Sequence, residues 1–183
     1  MQSTFAQIML DLQDRIAAVV PGIRMIDRYI GQDQTAIKPS LDYPAVLIDT
    51  ESAEYEEAGE GCQFARAIFS VRIMYANFVK CLQTSPLAVR QKALDDFETE
   101  QRVVAAIHGW APTALDDDEQ PHQYCEPFIR TADRSENLND IGLRIRTVLF
   151  STAWEERIPE PAAEPEPEPE PSDDGEPQSD TDE

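Results

Sequence analysis

The sequence predicts an α+β domain in which one small, mostly antiparallel sheet of four to five strands is covered by two helices. Two stretches, Cys62–Tyr75 and Ile141–Trp154, alternate between two side-chain faces with the two-residue period of a strand. Residues 4–20 and 86–108 instead repeat apolar side chains every three or four positions, which is typical of amphipathic helices. We expect the first of these strands to be the centre of the sheet.

Charge and composition divide the chain into two parts. The formal net charge is −21, from 36 acidic and 15 basic residues, and residues 158–183 alone hold 11 acids and no Lys or Arg. Their repeated Glu-Pro steps resist helix, sheet and burial, so we predict a disordered acidic C-terminal tail after a folded domain at residues 1–157. The folded part is also acidic, and binding to nucleic acid through phosphate neutralisation is not expected.

The three cysteines are an odd number, and no CxxC motif occurs. This pattern favours a reducing compartment over a disulfide scaffold. No apolar run approaches the roughly 18 residues that span a bilayer, and the first residues lack the basic leader of a signal peptide. We therefore expect a soluble protein with no membrane partner.

The first predicted helix is expected to begin at a Thr4 cap, and the second at Ser85-Pro86. Pro21-Gly22 should end the first helix. Both helices are expected to pack on the sheet through their apolar faces. In the second helix that face consists of Leu87, Leu94, Phe97, Val104 and Ile107.

Three weaker strands complete the expected sheet. Residues 23–30 alternate weakly, and Tyr43–Thr50 alternates better, with Pro44 placed at its beginning or on an edge because proline lacks a backbone donor. Residues 121–134 predict an irregular strand, and residues 135–140 the turn before the last strand.

An acidic segment, residues 51–61, joins two predicted strands, and we interpret it as an exposed hairpin connection. It lacks the D-x-D-x-D-G order of a calcium loop, so solvation is favoured over metal binding. A connection of this length can reach another subunit, and that hypothesis stays open. Its glutamates are Glu51, Glu54, Glu56, Glu57 and Glu60.

Arg144 and Arg146 share one face of the last predicted strand. They can form salt bridges within the chain or line an exposed sheet face. Alternatively, they can contact the acidic segment of a neighbouring subunit. Together with the five glutamates, they form our candidate subunit interface.

No pattern of residues predicts an enzyme. His122-x-x-Cys125, with Cys62 and Cys81 elsewhere, is one loose pair rather than the paired ligands of a structural zinc site. No local motif supports a Cys–His nucleophile, and GxSxG, HExxH, Walker A and GxGxxG motifs are lacking. We expect no catalytic residue, cofactor or metal. An acid-built metal site at Glu51–Glu60 or Asp116–Glu119 stays as the enzymatic alternative.

The order of predicted elements resembles the tail terminator (tail completion, minor tail) proteins of tailed phages and prophages. The resemblance covers roughly residues 1–155 and includes a YPAV-like strand start. The segments that carry it are Phe5–Val20, Tyr43–Ile48, Phe64–Tyr75, Pro86–His108 and Ile141–Phe150.

The resemblance implies a non-enzymatic assembly protein. Such proteins form a ring, commonly a hexamer, that caps the tail tube and presents a surface to the head-tail connector. The implied partners are copies of the same chain, the tail tube protein and connector proteins. The implied location is the virion tail or neck, after assembly in the host cytoplasm. The alternative is an acidic adaptor whose Glu-Pro tail binds a basic partner.

Overall fold

A computed structural model of the chain describes residues 3–34, 39–59, 61–76, 81–115 and 119–157. The two helices are α1, Thr4–Val19, and α2, Leu87–Ile107. A short 3-10 helix, Asn139–Ile141, precedes the last strand. The strands are β1 (Met25–Arg28), β2 (Ala45–Gly59), β3 (Cys62–Ala76), β4 (Thr113–Leu115), β5 (Pro121–Gln123), β6 (Ile129–Leu138) and β7 (Leu143–Arg157).

Five strands form the main sheet in the order β1-β2-β3-β7-β6, and β4 and β5 form a separate two-stranded hairpin. β1 pairs with β2 in parallel, whereas all other neighbours are antiparallel. β3 is the central strand, as the alternation of its sequence predicts. The prediction of an α+β fold with a mostly antiparallel sheet and two helices is confirmed. No helix in the described part of the chain is long and apolar enough to cross a membrane.

Helix α1 covers one face of the sheet. Its buried side chains are Ile8, Leu12 and Ile16, one turn apart on the same side. Ser3 caps the helix instead of the expected Thr4, since the Ala6 backbone N–H donates to the Ser3 Oγ at 3.3 Å. The cap lies one residue earlier because Thr4 is already the first helical residue.

The alternation of β3 separates two cores. Phe69, Val71 and Ile73 face the helices and belong to the larger core. Met74 faces the opposite side, where a smaller core includes Leu47 of β2. Partly buried side chains pack on this second core, and they are Met25, Tyr29, Leu41, Tyr43, Ala76, Leu138 and Ile141. Both faces of the sheet are therefore covered near this end of β3.

The prediction of a loop at residues 51–61 is wrong. β2 continues to Gly59 and stays paired with β3 as far as Cys62, with a register shift between Thr50 and Ser52. Glutamates are poor strand formers and are exposed on both faces here, so the segment shows no apolar alternation. Pairing with β3 decides its conformation, and the connection shrinks to a tight turn. Gly59 and Gly61 have φ values of 88° and 74°, which favour glycine.

The expected turn at residues 135–140 is also displaced. β6 extends to Leu138, and the chain turns through the 3-10 helix that follows. Polar residues of β6 pair with β7, with Ser135 opposite Arg146 and Asn137 opposite Arg144. The strand lies at the sheet edge and is almost wholly exposed, so its sequence carries no apolar pattern.

The expected apolar face of α2 is only partly correct. Its buried apolar residues are Val103, Ala106 and Ile107, all in the last two turns. In contrast, no residue from Leu87 to Thr99 is buried, so the first three turns lie beyond the core. Within the described residues β3 ends at Ala76, and Leu87, Leu94 and Phe97 are exposed.

Replacing Phe69 by alanine should lower the free energy of unfolding by about 3–5 kcal/mol, because the ring is fully buried at the centre of the sheet. Its ring centroid lies 6.1 Å from that of Phe5 and 5.7 Å from that of Phe128. Ile30→Ala is the control, since Ile30 is 79% exposed and its truncation should change stability by less than about 0.5 kcal/mol. Urea unfolding curves would test this, and equal effects of the two variants would contradict the assigned core.

Candidate subunit interface

The glutamates of the predicted interface lie on a projecting part of the sheet. We call β2 residues 51–59 the acidic arm. Glu51, Glu54, Glu56 and Glu57 are all exposed on it, and Glu60 lies outside the described residues. Glu54 is opposite Arg66 and Glu56 is opposite Phe64 in the register with β3. The glutamates are thus held on a paired strand rather than on a free loop.

The outer edge of the acidic arm has no strand beside it within the described residues. β1 pairs with β2 only from Ala45 to Ile48. One further bond follows the end of β1, in which the Tyr29 backbone N–H donates to the Ile48 oxygen at 2.8 Å. The backbone groups that follow on this side of β2 are available to solvent or to another chain. Charged side chains on such an edge are a common protection against unwanted strand pairing.

The two arginines of the predicted interface do not meet the acidic arm of their own chain. The Arg144 Nη2 atom lies 2.8 Å from the Glu100 Oε1 atom of α2, and its Nη1 atom lies 3.6 Å from the Asp96 Oδ2 atom. The Arg146 Nη2 atom lies 2.7 Å from the Asp133 Oδ1 atom of β6. Arg146 also reaches Glu100, with 3.8 Å between Nε and Oε2. A contact with a neighbouring subunit remains a prediction for both.

Glu100 is a buried carboxylate at the centre of this ion cluster. Burial raises the pKa of its carboxyl, and this effect exceeds the opposing effect of Arg144 and Arg146, which lower it. Burial likewise raises the pKa of Asp96 despite Arg144. The Arg144 guanidinium also lies 4.4 Å from the centroid of the Phe97 ring. The cluster joins the middle of α2 to the start of β7.

A second ion pair lies on the opposite face of the sheet. The Arg72 Nη1 atom lies 2.8 Å from the Asp33 Oδ2 atom, and its guanidinium lies 4.0 Å from the Tyr29 ring centroid. The Tyr29 hydroxyl donates to the Asp33 Oδ1 atom at 2.7 Å. Sequence reasoning missed this pair, because Asp33 stands in a polar segment with no pattern that marks it.

The structure places the cysteines and histidines at separate positions in the fold. Within the described ranges, no three side chains from His, Cys, Asp and Glu are placed to hold a metal ion. Cys125 is buried, and burial raises the pKa of its thiol to about 11, so it is un-ionised at neutral pH and a poor nucleophile. His122 is exposed in β5. Asp116–Asp118 lie outside the described residues.

A shallow groove lies between the first half of α1 and the outer strands β1 and β2. We call it the α1 groove; its volume is about 610 Å³. Phe5, Ala6, Met9 and Leu10 form its apolar wall. The remaining lining residues are Ser3, Arg28, Asp49 and Thr50.

A second apolar surface lies on α2. We call Leu87, Leu94 and Phe97 the α2 stripe; their side chains are 61%, 44% and 48% exposed. Spacings of seven and three residues place them on one side of the helix. Sequence reasoning assigned all three to the core, because helical periodicity identifies an apolar face without telling what covers it.

Comparison with solved structures gives distant similarities. The chain is similar to a chain of the virion of a native gene transfer agent particle, with 10% identity and a TM-score of 0.44. The match covers 85% of this chain and 100% of that chain. No protein-family model and no curated protein matches the sequence. A similarity at this level does not assign a family or a function.

The pH dependence of stability should reveal the buried carboxylate of Glu100. Its pKa is higher in the folded than in the unfolded chain, so the folded chain holds this proton more tightly. That contribution to stability is complete below the usual glutamate pKa of about 4.3 and is lost as the pH rises through the folded-state pKa. Relative to Glu100→Gln, the wild type should therefore lose unfolding free energy as the pH rises.

Unfolding curves in urea at a series of pH values measure this difference. Glu98→Gln is the matched control, because Glu98 is exposed on the same helix and makes the same change of side chain. It should follow the wild type at every pH. Parallel profiles for wild type and Glu100→Gln would contradict the argument, whatever constant offset separates them.

Proposed function

We propose that this chain is a structural component of a phage-like virion, and that it acts as a tail terminator. In this role, copies of the chain form a ring that caps the tail tube and joins it to the head or neck. Its partners are then the tail tube protein and head-tail connector proteins. It acts without catalysis, cofactor or metal. The order of helices and strands, which the sequence analysis found to resemble tail terminators, supports this role.

The observation that carries the proposal is the amount of surface that the fold leaves open for other chains. The described chain has an exposed acidic arm on β2, an apolar α2 stripe, and the α1 groove with its apolar α1 wall. Exposed apolar patches on a folded domain mark interaction sites. An assembly protein needs several such surfaces, because each copy contacts neighbours on two sides and other proteins above and below.

The acidic arm is the part of the chain that we assign to the neighbour or to the lumen of the ring. Glu51, Glu54, Glu56 and Glu57 project into solvent along it. If they line the lumen, they repel the phosphates of DNA, so DNA passes without sticking. If they instead face a neighbouring subunit, we propose that they contact Arg144 and Arg146 of that subunit.

The composition of residues 158–183 favours a second candidate, an acidic adaptor. These 26 residues carry 11 acids and no Lys or Arg, so they could bind a basic partner by charge alone. We propose that residues 1–157 form the domain and that this segment is a separate acidic tail. In the terminator reading the tail only adds solubility.

The direct test of the virion role is co-purification with particles. Tailed particles from a strain that produces this chain would be purified by density gradient and analysed by peptide mass spectrometry. The chain should band with the particles at a constant ratio to the tail tube protein. Its presence only in the soluble fraction would contradict the virion role.

The ring and the adaptor are separated by removing residues 159–183. Light scattering on a sizing column should give the same closed assembly for the full chain and for the shortened chain, because the tail contributes no interface in the terminator reading. In the adaptor reading, the shortened chain instead loses its basic partner in a pull-down. A full chain that captures a basic partner, and a shortened chain that does not, would favour the adaptor.

A further inference from the structure

We propose that the α1 groove and the open edge of β2 beside it bind one extended segment of another protein. The segment adds to the main sheet as a strand, and its side chains alternate between apolar and basic. The apolar side chains lie on the face of the sheet that α1 covers, and the basic side chains lie on the opposite face. This site goes beyond the proposed function and does not depend on the virion role.

The α1 groove lies where β1 ends and α1 continues. β1 packs beside the second half of α1, but the chain leaves the sheet soon after Arg28, which lines one end of the groove. Ile30 is 79% exposed, and the chain then turns from Gly31 to Gln34. Asp33 in this turn pairs with Arg72 on the opposite face of the sheet. The first half of α1 therefore has no described strand beneath its outer side.

The backbone of β2 can accept a strand at this place. The Ile48 oxygen faces β1, because it accepts from the Tyr29 backbone N–H. Backbone groups of a strand alternate in direction with a two-residue period, so those of Thr50 face the same side. Among the described residues, no strand lies beside Thr50 or the acidic arm that follows it. These groups can pair with an extended chain that joins the sheet edge.

The α1 face of the site favours apolar side chains. Thr50, Ala53 and Tyr55 are opposite residues of β3 that belong to the larger core, so they lie on this face. Tyr55 is 46% exposed, and Leu10 on the α1 wall of the groove is 47% exposed. A strand added between α1 and this edge would remove apolar surface of both side chains from water.

The opposite face of the site favours basic side chains. Asp49, Glu54 and Glu56 lie on this face, because their partners on β3 alternate with the core residues. Arg66 of β3 is opposite Glu54, so three acids stand against one base. Opposite charges on neighbouring strands stabilise their pairing, whereas like charges weaken it. An added strand should therefore carry Lys or Arg at every second position.

A second copy of this chain suits the site less well than a basic partner. Two acidic arms side by side would place glutamates against glutamates, and the formal net charge of −21 opposes the approach of two copies. The exposed edge strand β6 carries Asp133 and Glu136 as well as Arg130 and Arg134. The same acidic side chains that repel such edges attract a basic strand.

The experiment measures binding of a short synthetic peptide of alternating valine and lysine to the full chain. Isothermal titration calorimetry at physiological salt should show saturable binding in an equimolar ratio. A peptide of alternating valine and glutamate should bind at least about tenfold more weakly, and so should a peptide with its valines and lysines in two separate blocks. Hydrogen exchange should show that the peptide protects the backbone N–H of Thr50.

Leu10→Asp tests the apolar wall of the groove. It should weaken binding of the valine-lysine peptide at least about tenfold, because it places a charge where the valines dock. Attraction by net charge alone would have the opposite result, since the variant is more acidic than the wild type. Leu94→Asp is the matched control, because Leu94 is 44% exposed on the other helix. It should bind the peptide at least as tightly as the wild type does.

Glu54→Lys tests the acidic face of the site. It should weaken binding about tenfold, since it places a lysine beside the lysines of the peptide. Glu98→Lys makes the same change of net charge at an exposed position of α2 and should bind nearly as the wild type does. All four substituted side chains are exposed, so each variant should keep the wild-type circular dichroism spectrum.

Methylation of the peptide nitrogens tests the backbone pairing. Only every second N–H of a strand faces its neighbour. Methylation of either the valine or the lysine nitrogens should therefore abolish binding, whereas methylation of the other set should leave it intact. Binding that tolerates both modifications would overturn the added strand.

Three further results would overturn the site: no saturable binding at the highest soluble concentration, equal binding of the basic and acidic peptides, or equal effects of each variant and its matched control. If no peptide binds and the wild type forms dimers that Leu10→Asp abolishes, a second copy occupies the groove and the proposed partner is wrong. Co-purification with particles tests the virion role separately, so either proposal can fail without the other.

Discussion

The structure depends on the unbroken pairing of β3 with β7. Fifteen residue pairs join the two strands, from Cys62 opposite Arg157 to Ala76 opposite Leu143. β3 is paired with β2 along its other edge, so its backbone is satisfied on both sides. Because the side-chain period of a strand is two, this register decides which residues of both strands face the helices. A slip of β7 by one residue against β3 would move Phe150 from the core to the opposite face, while Phe69 stayed in place.

The length of this ladder also explains the surfaces that remain open. A strand of 15 residues spans about 50 Å, whereas the 16 residues of α1 span only about 24 Å. One such helix cannot cover the whole sheet. At one end the sheet therefore projects as the acidic arm, and at the other α2 extends past the end of β3. The acidic arm and the exposed part of α2 follow from this mismatch in length, and they lie at opposite ends of β3.

The sequence predicted the elements in which buried side chains recur at regular intervals. It did not predict the conformation of segments in which they do not. β3 and β7 alternate between faces that differ in environment, and α1 carries one continuous buried side, so periodicity identified all three. The acidic arm is exposed on both faces and has no period to detect, although its four glutamates marked the segment as unusual. Its strand conformation comes from backbone pairing with β3, which composition does not encode.

The candidate interface was predictable only in part for a related reason. Helical spacing grouped Leu87, Leu94 and Phe97 with Val104 and Ile107 as one apolar face. Only the structure shows that the first three lie beyond the core. The partners of Arg144 and Arg146 were equally hidden, because Glu100 looks in the sequence like any other acid of a polar helix face. Burial, rather than residue type, distinguishes it.

Electrostatics limits how copies of this chain can associate. The formal net charge of −21 makes the approach of two copies unfavourable at long range. The four described glutamates of the acidic arm intensify that repulsion on one side of the molecule. Charge alone therefore cannot hold an assembly of copies together. The attraction has to come from apolar side chains that leave water on contact. Those side chains are concentrated on α2 and on the α1 wall of the groove, and the groove borders the acidic arm at Thr50.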